Sequence, residues 1–126
     1  MRITLLALGT LTLLTGPYLF FAPNVFYENT PGVSMMGPFN LHFIRDVGLA
    51  FLVSGGAVIC GVLQRNRGLA IAGALWPFLH GLFHLQIWTA RGFPFDQIAA
   101  FDFAAIITPA VVMMVLAWRL QPTQPS

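Results

Sequence analysis

The chain has 126 residues, of which 57% are hydrophobic and 8% charged, and its mean hydropathy is +0.78. Soluble domains carry about a quarter charged residues, and a soluble core of this size cannot hide so much apolar surface, so the composition points to lipid as the solvent. A net charge of +2 with no basic run excludes a nucleic-acid surface, and the single cysteine, Cys60, excludes an internal disulfide and a multi-cysteine metal site.

The first apolar run covers residues 3–21 and follows Arg2. It meets the length criterion of about 20 residues for a membrane-crossing helix. A signal peptide also opens with a positive charge and an apolar stretch, but this run is long for one and no small-x-small cleavage site follows it, so it is expected to be an uncleaved span. Residues 22–40 form the longest connection. Pro23, Pro31, Gly32, Gly37 and Pro38 forbid a continuous helix there, while Val25, Phe26, Tyr27, Met35 and Met36 make it too apolar for a free loop. It is expected to fold as a cap against the bundle.

The second span is read at 41–63, with Asn40 as its N-cap. His42, Arg45 and Asp46 share one face near its start, at i, i+3 and i+4. Gly48, Ser54, Gly55, Gly56 and Gly61 are small enough to let a neighbouring helix come close. The third span is read at 69–88, where Gly73, Pro77, His80, Gly81 and His84 lie near one stripe and Pro77 should kink the helix. The fourth is read at 98–118, with Asp102 near its start and Pro109 near its middle, and residues 119–126 are expected to form a flexible tail. The fold expected is an all-α, integral-membrane four-helix bundle in a single domain.

With four spans, Arg2, Arg65, Arg67 and Arg119 fall on one side, which the positive-inside rule makes cytoplasmic, together with both termini. Every histidine, with Arg45, Asp46 and Asp102, then gathers in the outer half of the bundle. Ionisable groups are costly at that depth, and this arrangement predicts a polar pocket opening outward beneath the 31–40 loop. Its expected ligand-binding residues are His42, Arg45, Asp46, His80, His84 and Asp102.

The group has several readings. Arg45 and Asp102 can simply neutralise each other across the bundle. The i, i+4 spacing of His80 and His84 is also the geometry by which one helix offers two nitrogens to a metal ion, with His42 as a third ligand. Haem held by His42 with His80 or His84 is a related possibility. Proton or quinone chemistry is a third, with Trp76, Phe78, Phe83, Trp88 and Phe101 available as pocket walls. The expected function is accordingly an accessory or ligand-binding membrane protein, the competing one a redox or metal-handling subunit. Partners expected are the lipid bilayer and a homo-oligomer or larger membrane complex, without nucleic acid.

The motif Pro31-Gly32-Val33, Gly37-Pro38-x-Asn40-x-His42-Phe43-x-Arg45-Asp46-x-Gly48 resembles a pattern in small bacterial membrane proteins. More distantly, the four short helices with an arginine and glycine-rich turns in span two resemble the DoxX-like families. That resemblance implies a four-helix fold in a bacterial inner membrane with a shared outer-face site; it implies no particular activity, since those families range from respiratory-complex subunits to proteins without one assigned. Met35 and Met36 depart from the polar residues that pattern leads one to expect.

Overall fold

The computed structural model describes residues 1–121; of the flexible tail expected at 119–126, residues 122–126 lie outside that range, whereas Leu120 is buried in the core and its N–H donates to the Ala117 carbonyl, so the ordered chain runs past Trp118. Among the described residues the chain is all helical, and four helices are long and apolar enough to cross a membrane. They are α1 (Arg2–Phe21), α3 (Leu41–Leu63), α4 (Arg67–Ala90) and a fourth stretch, Gln97–Trp118. The fourth is composite: α5 (Gln97–Phe101), a π-helical segment (Asp102–Ile107) and α6 (Thr108–Trp118). Between α1 and α3 lie α2 (Pro23–Asn29) and a single 3-10 turn (Val33–Met35).

Each helix start after the first has a physical marker. The side chains of Asn40, Asn66 and Asp96 accept hydrogen bonds from the backbone N–H groups of Phe43, Leu69 and Ala99, at 3.0, 3.0 and 2.9 Å. Pro23 does not break a helix but begins one, because its missing N–H would have been unpaired in the first turn anyway. The cap is tied down by the Tyr27 hydroxyl, which donates to the Gly37 carbonyl at 2.9 Å, and by edge-on contact of Tyr27 with Phe39 and of Tyr18 with Phe26. At Gly32, φ is +84° and a Cβ would sit 2.9 Å from Ile98, so the turn needs glycine on both counts.

Small residues set the packing, as their spacing led one to expect. α1 and α3 run antiparallel with Gly9 and Gly16 against Gly55 and Gly48; a Cβ at Gly55 would lie 2.3 Å from the Leu13 backbone nitrogen. α3 and α4 touch similarly where a Cβ at Gly61 would lie 2.5 Å from the nitrogen of Ala70. Gly56 differs, since it faces only the far end of Leu13. The fourth stretch packs on α4. The core concentrates at the end carrying Arg2, Arg65, Arg67 and Arg119, where Leu5, Val58, Val62, Ala74, Met113 and Ala117 are buried together. Elsewhere the bundle turns apolar side chains such as Ile3, Leu11, Val53 and Leu79 outward.

Pro77 has a consequence that crosses the helix boundary. Without an N–H it leaves the carbonyl of Gly73, one turn earlier, without its helical donor. The hydroxyl of Ser54 on α3 donates to that carbonyl instead. A gap in one helix is thus closed by its neighbour, as a low-dielectric environment demands. Pro109 is accommodated differently: its ring would press on the carbonyl of Ala105, and the turn just before it is widened, with the Thr108 N–H reaching back to Phe103.

Candidate functional site

The π-helical segment begins at Asp102, whose carboxylate is 3% exposed. Its titratable neighbour is the imidazole of His84 on α4, with Nδ1 3.0 Å from Oδ1. The nitrogen is fully buried, but its direction does not make an in-line hydrogen bond to the carboxylate or to any other group. The pair is therefore held by proximity, with hydrogen-bonding capacity left over. One helical turn earlier, the His80 ring meets that of His84 edge-on with centroids 4.7 Å apart. His80 is in turn stacked on Trp76, at 5.6 Å and 16° between planes, and flanked by Phe51 of α3.

The result is a line of contacts, Trp76–His80–His84–Asp102, walled by aromatic rings. At 1.5 Å rise per residue, His84 lies about 9 Å and His80 about 15 Å from the end of α4, and Asp102 lies about 7.5 Å from the start of α5. An imidazole and a carboxylate in this relation can hold a proton between them, and a second imidazole extends the path by one turn.

Arg45, His42 and Asp46 do not join this group. His42 pairs with Asp46 of its own helix, Nδ1 to Oδ2 at 3.1 Å, with side chains 86% and 58% exposed. Arg45 does not pair with Asp102. Its Nε donates to the carbonyl of Phe20 at 3.2 Å and its guanidinium lies over the Phe20 ring, 5.2 Å from the centroid. That carbonyl belongs to the last turn of α1, where helical acceptors lack partners and the dipole favours a cation, so Arg45 fastens the end of α1 to α3.

The expected single pocket is thus divided: an exposed pair on α3, Arg45 against Phe20, and a set between α4 and the fourth stretch in which Asp102 is buried and both histidines are half-buried. Among the described residues no three His, Cys, Asp or Glu side chains are grouped to hold a metal ion. With His42 apart, the three imidazoles do not converge on one metal or haem either. Two shallow, open, apolar depressions mark the surface, one along Trp88, Phe95, Ala99 and Phe103, the other along Leu49, Val53, Gly73 and Trp76; neither reaches His84 or Asp102.

The connection from α4 to α5 closes over the same end. Gly92, at φ +82°, turns the chain, Trp88 Nε1 donates to the Pro94 carbonyl at 2.9 Å, and the Trp88 ring meets Phe93, Phe95 and Phe103 edge-on. Arg91 pairs with Asp96. The N–H of Ala99 and then the Arg91 guanidinium hold the Asp96 carboxyl below the usual aspartate range. Sequence reasoning missed the partners of Ser54, Trp88 and Arg45. For Ser54 a signal did exist, since a hydroxyl on one helix and a proline on the next imply a donor meeting an orphaned carbonyl.

Comparison of the chain with protein-family models, with curated proteins and with solved structures finds no match.

Proposed function

We propose that the chain is a small accessory protein of the bacterial inner membrane that binds a ligand through a protonatable site built from His80, His84 and Asp102. The observation that carries this reading is Asp102, an acidic residue 3% exposed within an apolar helix, whose titratable neighbour is an incompletely hydrogen-bonded imidazole. Ionisable groups at such depth are costly unless used, and π-helical turns recur at functional sites. Four apolar helices and the arginines at one end support a multi-pass topology with both termini cytoplasmic, which puts the site in the outer half. The distant DoxX-like resemblance agrees with this architecture.

The test is mass spectrometry of small molecules that co-purify with the wild-type chain and with the near-isosteric Asp102→Asn variant. A species held by the wild type near stoichiometry and lost from the variant supports the reading. Identical profiles from two equally folded proteins would refute it. A C-terminal reporter fusion that is active only outside the cytoplasm would overturn the topology.

A further inference from the structure

Charge is divided unevenly between the two ends of the bundle. Arg2 opens α1, Arg65 follows α3, Arg67 opens α4 and Arg119 follows α6, so the four arginines share one end. The four carboxylates, Glu28, Asp46, Asp96 and Asp102, all lie toward the other. Among the described residues, none of the four arginines meets a carboxylate. No described carboxylate supplies their countercharge.

Two of them are held in place by neutral groups. Arg2 spends one N–H on the carbonyl of Val62, at 3.0 Å, and Arg67 lies over the face of Trp118, 4.7 Å from the ring centroid. A guanidinium has five donors, so both keep edge N–H groups free, positioned at low entropic cost. Directly beside them, Leu63 and Trp118 are 64% and 61% exposed. A row of cations bordering exposed apolar side chains matches an amphiphile with an anionic head and a hydrocarbon tail. An acidic soluble protein would satisfy the charges and leave Leu63 and Trp118 unmatched.

We infer that the arginine end is a binding site for anionic phospholipid, with the phosphate on Arg67 and its neighbours and the acyl chain along Leu63 and Trp118. The site is separate from the His84–Asp102 set and does not depend on what that set binds. Each arginine engaged should raise preference for anionic over zwitterionic lipid about fivefold.

Trp118 gives the readout. With Trp76→Phe and Trp88→Phe it becomes the sole tryptophan. The full chain is placed in phosphatidylcholine vesicles containing brominated phosphatidylglycerol or brominated phosphatidylcholine. The anionic lipid should quench Trp118 at a several-fold lower mole fraction, and Arg67→Gln with Arg119→Gln should reduce the difference several-fold. Equal quenching by both lipids, or a preference that the double substitution leaves undiminished, overturns the inference. So does poly-glutamate that displaces the anionic lipid at matched charge, since an acidic protein would then be the better occupant. If the tryptophan variants do not fold, native mass spectrometry of the unaltered chain in mixed-lipid micelles decides it: retained phosphatidylglycerol supports the site, and equal retention of both lipids refutes it.

Discussion

Ser54→Ala removes the hydroxyl that donates to the Gly73 carbonyl, at a position where Ser54 itself is only 4% exposed. Nothing else in α4 can replace that donor, because the residue one turn on is Pro77. An orphaned buried acceptor costs about 1–3 kcal/mol, while interhelical side-chain bonds in membrane proteins average nearer 0.6 with a maximum near 1.7, so a loss of about 1–2 kcal/mol is expected. The informative comparison is the same substitution in a Pro77→Ala background. Alanine restores an N–H to position 77, the helix then supplies its own donor to Gly73, and Ser54→Ala should cost about 0.5 kcal/mol or less. The coupling of about 1 kcal/mol between the two positions can be read from unfolding titrations in mixed micelles on all four proteins. Equal costs of Ser54→Ala in the two backgrounds would refute the claim that Ser54 compensates for the proline.

Gly55→Ala should destabilise by about 1–3 kcal/mol, since its Cβ would meet the Leu13 backbone at 2.3 Å and the helices must separate; an unchanged melting temperature in detergent would contradict the packing described. Arg45→Met should cost about 0.3–1 kcal/mol through the lost link to the last turn of α1, whereas Asp46→Asn on the same exposed surface should be near neutral in the same melts. Asp96 has a depressed folded-state pKa, so its contribution is complete above the usual aspartate value and is lost as the pH falls through the lower folded one; Asp96→Asn should flatten that part of the acid stability profile and leave the neutral region's slope unaltered. His84→Gln should abolish ligand retention at constant stability, and His42→Gln, at an 86% exposed side chain, should leave it intact; the reverse order would move the site to α3.

Much of this fold is legible in the sequence because hydrophobic length and capping are local. The second span begins and ends at the residues expected, 41 and 63, since Asn40 marks one end and the polar Gln64–Asn66 turn the other. The third and fourth spans differ from their readings by one or two residues at the ends. The depth argument likewise puts His84 and Asp102 at one level, and they lie 3.0 Å apart. What stayed hidden depends on rotation. Gly48 turns toward Gly16 of α1, which fixes the rotation of α3 and leaves His42 exposed, and that rotation is a property of two helices together. The cap helix was hidden for a different reason: a proline reads as a breaker unless its place in the first turn is known.

The widened turn at Asp102–Ile107 makes the position of the carboxylate a matter of counting. Each residue in a helix turns the chain by about 100°, so a single deletion between 103 and 107 would restore ordinary spacing while swinging Asp102 by more than a quarter turn about α6. The side chain would leave His84 although no residue of the site had been replaced, and the ring of Pro109 would again press on the carbonyl behind it. The last helix can therefore exchange residues on its outward-facing side freely, but it cannot lose one between 103 and 107 without losing the site.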